Sequence, residues 1–200
     1  INELDSCYKE AYDIVNPVRD HLKHKKILLK KISEFIHDND THIAVEEANL
    51  SGNKDDIYSP IQSDFFSSLK EQSEYLKYFY SDVITPTILT IGRGLKIVPF
   101  DYKVHNAWFQ QYSESAEHSW HNHSDCQFTN IYYLELPDAG YKTEVVGLDG
   151  NLIEYSAKEG DVVTIPSWMI HRSKPNGTEQ KTVIAFNTSY SSIKHERHYK

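Results

Sequence analysis

Downstream of residue 96 the apolar residues of this 200-residue chain stop recurring at every third or fourth position and begin to alternate. That change of period constrains the fold more than any other feature, because alternation is the mark of a half-buried strand. Six or seven short β-rich runs follow, at 96–99, 107–112, 129–136, 143–148, 152–155, 161–165 and 182–187. Turn signals separate them: Pro137-Asp138-Ala139-Gly140, Asp149-Gly150, Glu159-Gly160 and Pro175-Asn176-Gly177. Of these, Asp149-Gly150 suits a tight hairpin turn. Strands this short and this regularly spaced predict a double-sheet jelly roll.

The first half reads as helix. Asn16-Pro17 resembles an N-cap followed by proline at the first helical position. Val18, Leu22, Leu29, Ile32, Phe35 and Ile36 then fall near helical spacing, with Lys23 to Lys26 and Lys30-Lys31 between them, and Asp38-Asn39-Asp40 ends the stretch. Residues 49–62 are loop-like. A second helix is predicted over 63–83, with Phe65, Phe66, Leu69, Leu76, Phe79 and Tyr80 inward and Pro86 closing it. The expectation is an α+β chain forming one structural domain, with residues 1–95 as helices that buttress the sheet and 96–200 as the β core.

Composition narrows the functional classes. Lys+Arg 21 against Asp+Glu 29 leaves a net charge of −8, so the global basic footprint of a nucleic-acid binder is missing. The one basic run, Lys23 to Lys31, reads as a solvated helix face. The hydrophobic share of 39% implies a modest core, while 12% aromatic residues argue against disorder. No apolar run approaches the ~18 residues needed to cross a bilayer, and none has the apolar core of a signal peptide. The sequence opens on Ile1 rather than Met, and the natural start is expected upstream. Two cysteines, Cys7 and Cys126, make no disulfide framework, so a reducing, cytoplasmic setting is expected.

Eleven histidines are present. His21, His24, His37 and His42 read as solvated, and His195 and His198 lack the spacing of a zinc-binding helix. The segment His118-Ser119-Trp120-His121-Asn122-His123-Ser124-Asp125 differs. On an extended chain His121, His123 and Asp125 share a face and could reach one metal ion. A third ligand must come from another strand. His171 is the candidate, ending a run that starts at Gly160-Asp161 and turns at Pro166. Two ligands from one strand and one from another make an open site, which suits catalysis better than a closed structural site. With nitrogen and oxygen donors only, Fe(II) leads, with zinc, manganese and nickel as alternatives.

At these residues the sequence resembles the Fe(II)- and 2-oxoglutarate-dependent oxygenases, above all the group of that superfamily found in bacteria and phages. Three blocks carry the resemblance: Trp120-His121-Asn122-His123 with residues 129–137, Glu159-Gly160-Asp161 through Pro166 to His171-Arg172-Ser173, and residues 181–187. It spans roughly 106–190 and implies a double-stranded β-helix, cupin-like in architecture. The superfamily usually ligates its metal with His-x-Asp or His-x-Glu plus a distal histidine. Here two registers compete, His121 with His123 or His123 with Asp125, each completed by His171. The phage-like group favours His-x-His, and the better-attested two-histidine, one-carboxylate site favours Asp125. Lys181, ten residues after His171, stands where the superfamily places a cation for the distal carboxylate of 2-oxoglutarate. A lysine offers a point charge and needs help from a hydroxyl, for which Tyr132, Tyr133, Thr143 and Thr182 are candidates. Arg172 is a second candidate for that cation.

The resemblance implies a dioxygenase that hydroxylates a C–H bond, forming succinate and CO2, with no catalytic residue beyond the metal ligands. Trp108, Gln110, Trp120, Phe128, Trp168 and Arg172 could shape the pocket for a small-molecule or peptide substrate. Two other readings stand beside it. One is a cupin-type enzyme with three histidine ligands and no 2-oxoglutarate; the other is a non-catalytic jelly-roll binding module. The sequence says nothing of the oligomeric state.

Overall fold

The computed structural model describes residues 15–39, 61–65, 67–95, 97 and 100–192. Its centre is a six-stranded antiparallel sheet in the order β1 (Val15–Pro17), β7 (Asp161–Pro166), β5 (Phe128–Glu135), β9 (Lys181–Ser192), β3 (Phe100–Tyr112) and β2 (Ile61–Ser63). A three-stranded sheet of β4 (His118–His121), β8 (His171–Ser173) and β6 (Glu144–Val145) makes the second layer. Two sheets of this kind form the jelly roll that the strand spacing predicts.

Alternation along the central strands separates two cores. Tyr132 and Leu134 of β5, Ala107 and Phe109 of β3, and Ile184 and Phe186 of β9 face outward, onto a helical layer. That layer comprises α1 (His21–Asp38), α2 (Glu74–Tyr78), a π-helical turn (Phe79–Ile84) and α3 (Thr85–Gly94). Their neighbours Ile131 and Tyr133, Tyr112, and Val183 face the space between the two sheets, with Val145, Ile165 and Met169. Phe79 joins the outer core from the helical side, stacked on Tyr132 at 6.1 Å and edge-on to Phe186 at 5.6 Å.

Several local expectations are corrected. Residues 15–17 are not a helix start: they pair with Asp161 to Val163 at the sheet edge, where Pro17 sits without breaking a ladder. The helix begins at His21, after Asp20 in the left-handed region at φ 55°. Its inward stripe is His24, Leu28, Ile32 and Phe35, leaving Leu22 78% exposed. His24 is therefore buried, with Nδ1 2.8 Å from the Tyr78 hydroxyl. His21 is half-buried between the Tyr132 hydroxyl, 2.8 Å from Nδ1, and Glu159. His37 is exposed, as expected.

The second helical stretch starts at Glu74, and Ser73 caps it by accepting from the Leu76 N–H. It passes through Pro86, because a π-helical turn precedes the proline and leaves it in the first turn of α3. Leu69, predicted inward, is exposed. Asp149-Gly150 forms the turn expected of it, but residues 152–155 contribute a single bridge, Val146 to Leu152, rather than a strand. Ile97 lies in no strand. Cys7, His42, Phe66, Lys96, Val98, Pro99, His195, His198 and residues 49–60 of the predicted loop fall outside the described residues, while Ile61 and Gln62, also predicted as loop, belong to β2. Among the described residues no helix is long and apolar enough to cross a membrane.

Candidate metal centre

β4 and β8 bring the histidines together. His121 lies directly opposite His171 in the antiparallel pair, and the register shifts between His118 and His121. The chain leaves β4 after His121, yet His123 stays at the site because its N–H donates to the Ser167 carbonyl at 2.9 Å. Donor atoms of His121, His123 and His171 all lie within 4.8 Å of one another. A bound ion with metal–nitrogen bonds of about 2.0–2.1 Å would draw them closer still.

All three rings present the same nitrogen. The Nδ1–H of His121 donates to Ser119 O at 2.7 Å, that of His171 to Met169 O at 2.9 Å, and that of His123 to Asn187 Oδ1 at 2.8 Å. Each bond selects the tautomer whose Nε2 carries the lone pair. Burial favours the neutral imidazole, the form a metal needs, at His123 and His171. His171 is pushed down to about 3 by burial and then by His121, and His123 is lowered chiefly by burial.

Asp125, the other possible ligand, is not in this group. It sits at φ 61°, in the left-handed region, exposed and hydrogen-bonded to Ser124. The left-handed turn ends the extended alternation that would carry a carboxylate back to the face of His123. The geometry thus assembles His121, His123 and His171.

These rings line an open cavity together with Trp108, Gln110, His118, Thr143, Arg172 and Lys181. Lys181 is 1% exposed. Its Nζ donates to Tyr141 O at 3.1 Å and to Ser173 Oγ, and lies 4.1 Å from the Tyr112 ring centroid. Among the described residues no carboxylate pairs with it. Burial, with Lys174 adding repulsion, brings its ammonium down to about 7. Arg172 is already engaged: its Nε donates to Glu144 at 2.8 Å and its guanidinium lies 4.5 Å from the centroid of Trp120.

The hydroxyl candidates divide by face. Tyr132 and Thr182 point away from the cavity, Tyr132 towards His21 and Thr182 donating to Glu135. Tyr133 faces inward and accepts from the Thr143 N–H at 2.8 Å, and Thr143 lines the cavity. Of the proposed pocket residues, Trp108, Gln110 and Arg172 line the cavity, whereas Trp120, Phe128 and Trp168 do not. Three contributors were not singled out from sequence: Ser173 on Lys181, Asn187 on His123, and His118, whose ring stacks on His121 at 4.0 Å. His118 is held near 3 by burial and by the other histidines. Its one signal was its place three residues before His121.

No protein-family model matches the chain, and no curated protein matches it either. Solved structures do. AviO1 from Streptomyces viridochromogenes is 12% identical, with a TM-score of 0.58 over 86% of this chain and 86% of that one. A prolyl hydroxylase from Trichoplax adhaerens, in complex with a peptide fragment of the hypoxia inducible factor oxygen degradation domain, is 12% identical, with a TM-score of 0.58 over 88% of this chain and 84% of that one. A Pseudomonas putida prolyl-4-hydroxylase is 14% identical, with a TM-score of 0.54 over 90% of this chain and 98% of that one. The fold is therefore the double-stranded β-helix that the resemblance to the 2-oxoglutarate oxygenases implied.

Proposed function

We propose that this chain is an Fe(II)- and 2-oxoglutarate-dependent dioxygenase that hydroxylates a C–H bond of a small-molecule or peptide substrate in a reducing, cytoplasmic setting. The observation that carries the reading is the pairing, in one cavity, of three clustered histidines with a buried ammonium that meets no carboxylate among the described residues. An unpaired buried charge is costly, and an anion entering the cavity relieves that cost. The donor set fits iron: three imidazole nitrogens leave positions for a chelating cosubstrate.

His121, His123 and His171 would hold the metal through Nε2. Lys181 would bind the distal carboxylate of 2-oxoglutarate, with Ser173 supplying the hydroxyl. When bound, iron supplies oxygen activation coupled to the oxidative decarboxylation of 2-oxoglutarate to succinate and CO2. Anion binding would keep the Lys181 Nζ protonated. Ile131, Val183 and Ala185 give the cavity apolar wall, which limits water beside the metal. Catalysis would belong to residues 96–200, with the helices before them as support. The likeness to a peptide-bound prolyl hydroxylase makes a peptide substrate reasonable.

The test is anaerobic visible spectroscopy of the metal-free protein, titrated with Fe(II) and then 2-oxoglutarate. A charge-transfer band that needs both is expected. Lys181→Met should abolish the band while sparing iron binding, and His171→Ala should lose iron. Iron binding without a band in the wild type would point to a three-histidine enzyme that does not use 2-oxoglutarate. No iron binding at all would leave only a jelly-roll scaffold.

A further inference from the structure

The three ligand histidines are not oriented by equivalent means. His121 and His171 each donate Nδ1–H to a carbonyl two residues upstream in their own segment, Ser119 O and Met169 O. Those bonds come with the local backbone. His123 has no such local acceptor. Its Nδ1–H reaches across to the Asn187 side chain on β9, 64 positions away in sequence. The same Asn187 Oδ1 accepts from Thr129 Oγ1 at 3.1 Å, across the β5–β9 pair in which Thr129 and Asn187 are direct partners. Both residues are buried. Trp108 closes the other side of His123, its ring centroid 5.8 Å away at 32°.

We propose that Asn187, held by Thr129, is the positioning residue of the candidate metal centre. Its amide oxygen fixes the tautomer and tilt of His123, so that Nε2 meets those of His121 and His171. The proposal rests on the metal site of the preceding reading. It also gives β9 a double task. Alternation places Lys181, Val183, Ala185 and Asn187 on one face of the strand, so one strand would carry the anion-binding cation and the residue that sets a metal ligand. The acceptor is a neutral amide, so the oriented ring gains direction without a buried negative charge. Outer partners of metal-bound histidines commonly matter 10–100-fold in metal affinity.

The experiment measures Co(II) affinity by calorimetry and the Co(II) visible spectrum, on folded protein checked by circular dichroism. Asn187→Ala should weaken Co(II) binding about 10–100-fold and change the spectrum. Thr129→Val should weaken it less. Asn187→Asp, which keeps an acceptor, should restore the affinity. Asn130 is the structural control. It is a buried amide facing the helical layer, donating to Phe186 O and Thr188 Oγ1, accepting from Thr164 Oγ1 and hydrogen-bonding none of the described histidines. Asn130→Ala should lower thermal stability and leave Co(II) affinity and spectrum unchanged.

Unchanged Co(II) binding in Asn187→Ala, with binding lost in His171→Ala, would overturn the positioning role and leave the metal site standing. Equal weakening by Asn130→Ala and Asn187→Ala, or no rescue by Asn187→Asp, would also overturn it. A wild type that takes up no metal would overturn both readings.

Discussion

At the scale of single residues, burying Lys181 is costly. A lysine this deeply buried is held near 7, against about 10.5 in an unfolded chain. The unfolded chain therefore binds more protons between about pH 7 and 10.5, and this residue makes the folded state gain stability as pH rises through that window. Lys181→Met removes the penalty. The metal-free variant should be more stable at pH 7 by about 1–3 kcal/mol, with a flatter stability curve between pH 7 and 10. Urea denaturation at the two pH values checks this; a destabilised variant would mean that the bonds to Tyr141 and Ser173 outweigh the desolvation. Greater stability combined with lost 2-oxoglutarate binding is the pattern of a residue kept for function. The ten-residue spacing from His171 and the resemblance singled Lys181 out in the sequence. Its partner hydroxyl was not legible, because Ser173 reaches Nζ only through the β-sheet fold.

At the scale of elements, the joint between α1 and the large sheet is tightly specified. Gly160 opens β7 at φ 92°, accepts from the Val18 N–H at 2.9 Å and donates to Tyr133 O at 2.9 Å. A Cβ there would lie 2.8 Å from Cγ of His21, the first residue of the helix. Gly160→Ala therefore meets backbone strain and a clash with a ring pinned by Tyr132 and Glu159. It should cost about 2 kcal/mol or more, read as a lower denaturant midpoint with an unchanged slope. Wild-type stability in this variant would mean that α1 is free to shift. The Glu159-Gly160 turn was legible from its residue types. The helix start was not: Asn16-Pro17 has the chemistry of a cap, but the open edge of β7 captures that segment as a strand. Tertiary pairing overrode a local signal.

At the scale of the whole molecule, the histidine cavity sets the acid response. His171 and His118 are held near 3, and His123 is lowered too, against about 6.5 when unfolded. The unfolded chain takes up these protons first, so stability is lost as pH falls from about 6.5 towards 3. Asp64 opposes the trend. Burial pushes its carboxyl up to about 6, against the hydrogen bonds it accepts from Tyr75 and the Phe109 N–H, so protonation below that pH favours the folded state. Three histidines outnumber one carboxyl. The metal-free protein should have a lower urea midpoint at pH 4.5 than at pH 6.5, and an equal or higher midpoint at pH 4.5 would refute this. The jelly roll and the donor inventory are legible in the chain alone. Alternation and turn chemistry are local, and three histidines within two short segments are visible without a structure. Packing and strand pairing supply the rest: that Asp125 turns away, that Tyr133 rather than Tyr132 faces inward, that Lys181 is buried with no carboxylate partner among the described residues, and that the Asn187 side chain meets His123. A face changes with a one-residue shift of register, and register is set by partners distant in the chain.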